Sequence, residues 1–139
     1  MTSKKHSIHL TWERTNLSNI VNMEDCHFYA FTRGNNLLYI GMTWDQFIQK
    51  EAKTTLNAFN DNSKGLSIWL GYIDKISSKR LTYKIIRDVE ALLIKYHEPI
   101  WNRQNIRNYN GRDNLDVKNE GLHLLDDHLH VKGDHIYSY

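Results

Sequence analysis

The 139-residue sequence predicts an α+β fold: a small three-stranded antiparallel or mixed sheet flanked by helices, with a short irregular or β C-terminal extension. Three observations predict it. Two β-prone runs, Cys26 to Thr32 and Leu37 to Gly41, are separated by the turn residues Gly34-Asn35-Asn36 and read as an antiparallel hairpin. The run Leu66 to Ile73, between Lys64-Gly65 and Asp74-Lys75, reads as a strand buried on both faces. Segments of helical periodicity follow the hairpin and follow this third strand. The chain accordingly divides into an N-terminal extension over 1–25, a core over 26–105 and a C-terminal extension over 106–139.

Within the first extension, Ile8, Leu10 and Trp12 alternate weakly with polar residues and predict a short strand. After the hairpin, the stretch 44–59 contains no Gly or Pro. Its Phe47, Ile48, Ala52, Thr55, Leu56 and Phe59 recur at spacings of three and four, so it predicts an amphipathic helix with Thr43 or Asp45 near its cap. Thr82 opens a second helix that runs to about His97 and is stopped by Pro99, the single proline. On a helical projection Ile85, Ile86, Val89, Leu92, Leu93 and Tyr96 fill an arc of about 120° facing the core. Lys84, Arg87, Ala91 and Lys95 take the opposite side. Glu90 falls about 40° beyond one edge of the arc, as a border carboxylate partly withdrawn from water and still reachable. Residues 113–139 read as short strands and turns, with Lys132-Gly133-Asp134 as a hairpin signal.

Composition narrows the function classes. With 40% hydrophobic and 24% charged residues the chain is globular rather than disordered. No apolar stretch approaches the ~20 residues of a membrane span, and no apolar run follows the basic N-terminus, so neither a membrane segment nor a signal peptide is expected. Cys26 is the single cysteine, which excludes a disulfide framework and a four-cysteine zinc site, and a reducing cytoplasm is the expected setting. The formal charge of +2 conceals segregation. Positions 79–112 hold eight Lys/Arg against three acids, and positions 113–139 hold two against six. A local basic block suits a polyanion such as nucleic acid, and a solvated helix face is the alternative.

The residues carry a resemblance. His27-Phe28-Tyr29, followed by Tyr39-Ile40-Gly41-Met42-Thr43, resembles the core hairpin of the GIY-YIG nucleases, with Tyr29 and Tyr39 in the positions of the two named tyrosines. The stretch Asp88 to Ile94, with Pro99-Ile100-Trp101-Asn102, is similar to the family's glutamate helix and its trailing Pro-x-x-Asn. The resemblance covers roughly 26–105, and Gly111-Arg112-Asp113 extends it more faintly. Three positions depart. His27 begins the first triplet where the family name has glycine, and no arginine lies between Arg33 and Arg80, where the family places a phosphate-binding arginine on the first helix. The histidine that often follows that arginine has no counterpart either.

The resemblance implies a metal-dependent endonuclease that hydrolyses DNA phosphodiesters. It implies one Mg²⁺ or Mn²⁺ on Glu90, Tyr29 as general base with a lowered pKa, and Tyr39 orienting water or phosphate. Asn102 would brace the site. Lys50 or Lys53 would stand in for the arginine, supplying a point charge in place of a two-pronged guanidinium. Lys53, Arg87, Arg103 and Arg107 are the expected nucleic-acid contacts. DNA is the expected partner, with a second copy of the chain as a further one, and no membrane. Without the resemblance, Tyr29 and Tyr39 read as packed strand aromatics, Glu90 as a polar helix border, Asn102 as a turn residue, and Lys50 and Lys53 as solvated. A nucleic-acid-binding module with a degenerate site, or a protein-interaction subunit docking through the acidic tail, are the alternatives. His128, His130 and His135 with Asp126 and Asp127 match no standard zinc spacing and read as a surface cluster. Trp12, Trp44, Trp69 and Trp101 read as core or semi-core, and the loop-like settings of Trp44 and Trp101 leave either able to stack on an unpaired base.

Overall fold

Ile8, Leu10 and Trp12 belong to β1 (His6–Thr15), a ten-residue strand at the centre of a sheet rather than a short appendage. The computed structural model describes residues 5–19, 26–44, 47–60, 64–77, 80–102, 109, 111–133 and 135–139. The hairpin follows as β2 (Cys26–Arg33) and β3 (Asn36–Met42), joined through Gly34, whose φ of 59° is open to glycine at no steric cost. Then come α1 (Ile48–Ala58), β4 (Leu66–Ile76), α2 (Tyr83–His97), β5 (Leu115–Glu120), β6 (His128–Lys132) and β7 (His135–Ser138).

The strands form one mixed, strongly curled half-barrel sheet of seven strands, in the order β3-β2-β4-β1-β5-β6-β7. This corrects the expected three-stranded sheet. The expected trio is present as β3-β2-β4, all antiparallel, but it forms only one end. β1 continues the sheet from β4, and β5 pairs parallel to β1, with His6 opposite Leu115. The physical reason is that alternation marks a strand without naming its neighbour. Leu115 and Val117 lie inward between Asp116 and Lys118, yet nothing local says that they pair with a strand more than a hundred residues earlier.

The two helices cover opposite faces. Because β2 is buried on both sides, successive residues divide between two cores. Tyr29 and Phe31 pack towards α1 with Ile48, Ala52, Leu56, Ile68 and Leu70. Phe28 and Ala30 join the larger core beneath α2, with Leu10, Trp12, Ile40, Val89, Leu92 and residues of β5 and β6.

The helix ends divide in kind. Thr82 caps α2, its Oγ1 accepting the Ile85 N–H at 3.3 Å, and Glu98 closes it in the left-handed region just before Pro99. α1 begins later than expected, with Phe47 at its N-cap and no side-chain cap bond, so Thr43 does not serve. Asp45 lies outside the described residues. On α2 the expected arc also needs one correction. Tyr96 is exposed, while Asp88 and Ile94 are buried. Asp88 is 1% exposed and takes the Arg112 Nε at 3.0 Å.

Candidate active site

Tyr29 and Gly41 face each other across the hairpin, and this pairing builds the site. A Cβ on Gly41 would lie 2.4 Å from the Tyr29 Cζ. The phenol therefore rests on bare backbone, and the glycine of the Tyr-Ile-Gly triplet is needed as the floor of its ring. The ring is 2% exposed, and its Oη lies 2.9 Å from Thr55 Oγ1 of α1. Tyr39, two residues before Gly41 on the same face, has its ring centroid 5.8 Å from that of Tyr29, and the two hydroxyls are hydrogen-bonded.

Glu90 approaches from the other helix. β3 is the outer strand of the sheet, and the Glu90 carboxylate accepts the Met42 N–H at its end. Burial pushes Glu90 up from 4.5 to about 7. The Met42 N–H partly offsets this, and no cation among the described residues does. Glu90 also acts on the second tyrosine. Burial raises the Tyr39 pKa above 10, and the charge of Glu90 is the next cause. Tyr29 and Tyr39 are thus neighbours on the face turned to α1, and the charge of Glu90, from the helix of the other face, is felt at Tyr39 and not at Tyr29.

The edge of β3 is tied down by the segment after α2. Ile100 and Trp101 donate their N–H groups to the carbonyls of Leu37 and Leu38. Asn102 takes over at Ile40, accepting its N–H on Oδ1 at 2.8 Å and donating Nδ2 to its carbonyl at 2.9 Å. Both ends of that amide are engaged with the residue between Tyr39 and Gly41, so Asn102 holds the strand.

The two lysines are elsewhere. At 100° per residue Lys50 and Lys53 lie about 140° and 160° around α1 from Thr55, and both are exposed. The helix face that meets the tyrosines carries Thr55 and, about 40° away, Glu51, whose charge raises both phenols further. Arg87 is exposed on α2, and Arg103 and Arg107 lie outside the described residues.

Comparison with known protein families, with curated proteins and with solved structures finds no match. The likeness to the GIY-YIG nucleases therefore rests on this chain's own residues.

Their chemistry is specific. Burial raises Tyr29 well above 10, with the Tyr39 charge adding to it and the Thr55 bond working against it. Both phenols are thus protonated at neutral pH. This is opposite to the lowered pKa expected of Tyr29 as a base. Protonated phenols donate hydrogen bonds, while Glu90 exchanges its proton close to neutrality.

Several participants escaped the sequence reading. Thr55 falls in the apolar stripe of α1 by its spacing, and a hydroxyl at such a core-facing position signals a buried polar partner. Glu51 precedes it by one turn and could have been found by the same projection. His27 is buried, with Nδ1 3.0 Å from the Thr43 carbonyl. His128 Nε2 and His130 Nδ1 lie 2.6 and 3.2 Å from Asp116 on the neighbouring strand, rather than on Asp126 or Asp127. Among the described residues no group of three or more His, Cys, Asp or Glu side chains is arranged to hold a metal ion. A cavity of about 430 Å³ lies where β1 ends and β4 begins, lined by Arg14, Asn16, Asn19 and Ser67 among others, and includes none of the three site residues.

Proposed function

We propose that the chain is a divalent-metal-dependent endonuclease that hydrolyses phosphodiester bonds in DNA at the Tyr29–Tyr39–Glu90 site. One observation carries this reading: a carboxylate largely withdrawn from water, with no cation among the described residues to neutralise it, acts on the nearer of two hydrogen-bonded phenols at a strand edge. Carboxylates in that condition are rare unless something positive joins them. The donor set suits Mg²⁺ or Mn²⁺, which bind through one or two carboxylates and leave the remaining positions to water and substrate phosphate. Glu90 would hold the ion, which supplies a Lewis-acid counter-charge to the developing oxyanion.

The chain's own groups do the rest. Tyr39, half-buried and held protonated, donates the hydrogen bond that orients the phosphate or the attacking water, and Tyr29, buried behind it with its hydroxyl bonded to Thr55 and Tyr39, positions Tyr39. Thr55 fixes the Tyr29 hydroxyl, Gly41 leaves room for its ring, and Asn102 keeps the strand beneath both tyrosines straight. Exposed Arg87 on the glutamate helix supplies positive charge for the backbone of a nucleic acid.

Nicking of supercoiled DNA tests the reading. Cleavage is expected in Mg²⁺ or Mn²⁺ and not in a chelator, with Glu90→Gln and Tyr29→Phe each reducing the rate by about a hundredfold or more. Cleavage that survives Glu90→Gln would come from a contaminant and would remove the proposal. A second reading is favoured by one observation: the face of α1 turned to the tyrosines carries Glu51 and no cation. On that reading the chain is a nucleic-acid-binding module that does not cut, and DNA binding without metal-dependent nicking is the result that selects it.

A further inference from the structure

Two large rings stand half in water beside the proposed site. Trp44 is 42% and Tyr83 50% exposed. The Trp44 indole stacks on the buried His27 ring, with centroids 5.4 Å apart and planes at 23°, and meets Tyr83 edge-on at 6.2 Å. His27 is anchored in turn by Thr43. The indole is therefore supported from beneath and still offered to solvent, a prepared surface for a flat apolar partner.

Position and charge say which partner. Residues seven apart on a helix lie about 20° apart around the axis and about 10 Å apart along it. Tyr83 and Glu90 thus share one line of α2, with Arg87 between them. Arg80, Lys84 and Arg87 are all exposed around Tyr83. Trp44 follows Met42, whose N–H binds Glu90, by two residues. Aromatic rings, a guanidinium and the carboxylate site therefore succeed one another along a single track. A partner that is flat and apolar at one point and anionic at the next is a nucleotide strand whose base faces are free.

We propose that Trp44 and Tyr83 stack an unpaired base of single-stranded DNA while Arg87 takes the adjoining phosphate, so that a strand with exposed bases is preferred as substrate over a closed duplex. This rests on the Glu90 site being the centre of cleavage. A duplex hides its base faces everywhere but at its ends, whereas every unpaired base offers one. The selectivity is therefore for strandedness and tolerant of sequence.

The test is fluorescence anisotropy of a labelled oligothymidylate and of a duplex of equal length, with the Glu90→Gln protein so that nothing is cut. The oligothymidylate is expected to bind about tenfold more tightly or better. Trp44→Ala and Tyr83→Ala should each weaken it about tenfold, while Trp44→Phe, which keeps a ring, restores most of the affinity. Arg87→Ala should lower the slope of log K against log salt by about 0.7. Equal affinity for the two nucleic acids, or an unchanged affinity in Trp44→Ala, would overturn the proposal. Strand preference without metal-dependent cleavage would remove the nuclease and leave the stacking surface. Cleavage without the preference would do the reverse.

Discussion

Gly41 and Glu90 are the residues whose replacement speaks most directly to how the site is built. An alanine at position 41 drives its Cβ into the Tyr29 ring, which is held by Thr55 and cannot swing away cheaply. Gly41→Ala is expected to destabilise the fold by about 1–3 kcal/mol in urea titrations, whereas an alanine at Gly34's neighbour Asn35, exposed in the turn, should cost far less. Glu90 predicts a pH dependence of definite sign. Unfolded, it titrates at an ordinary 4.5, and folded at about 7. The folded state thus holds the proton more tightly, and the stability that protonated Glu90 contributes is complete below pH 4.5 and lost as the pH rises through 7. Glu90→Gln keeps an acceptor for the Met42 N–H and carries no charge. Its melting curve should match that of the wild type near pH 4 and lie above it at pH 8, by about 3 kcal/mol. A variant no more stable than wild type at pH 8 would mean that Glu90 is not withdrawn from water.

At the scale of elements, the β3 edge and the helix α2 together place the site. Asn102 replaces a missing neighbour strand at Ile40, so Asn102→Ala should free that N–H and carbonyl, cost about 2 kcal/mol and speed amide exchange at Ile40. Exchange that stays slow at Ile40 would show that the edge is held by other means. α2 was the most legible element, since a Thr cap, a sustained apolar period and a following proline all mark its limits locally. Glu90 at the border of that period was legible for the same reason. Asp88 was not, because its burial depends on Arg112, supplied by a segment 24 residues further on. α1 was legible in its apolar stripe and not at its start, where Phe47 stands at the cap position without a side-chain bond. The lysines looked suitable by type alone, and their direction around α1 takes them away from the tyrosines.

At the scale of the whole molecule, the hairpin and the two helices depend on strands outside 26–105. The core beneath α2 includes Ile8, Leu10 and Trp12 from β1 and Leu115, Val117, Leu129 and Val131 from β5 and β6. A fragment limited to 26–105 would leave one edge of β4 bare and Val89 and Leu92 without half of their neighbours. Such a fragment is expected to show no cooperative melting transition and dispersed amide resonances only in the full chain. A fragment that melts cooperatively would mean that the flanking strands are additions to a self-sufficient core. Local pattern revealed these flanking strands as strands, but their partnership is set by the curl of the sheet and by long-range burial, which no short window of sequence carries.

Cleavage chemistry at Tyr29, Tyr39 and Glu90 is the claim on which the functional account stands, and single-turnover cutting of an end-labelled DNA in Mn²⁺ tests it with least intervention. Wild type and Glu90→Gln, purified side by side, should differ by about a hundredfold or more in rate, with wild-type cutting abolished by chelation. Equal rates in the two proteins, or no cutting by either, would contradict it.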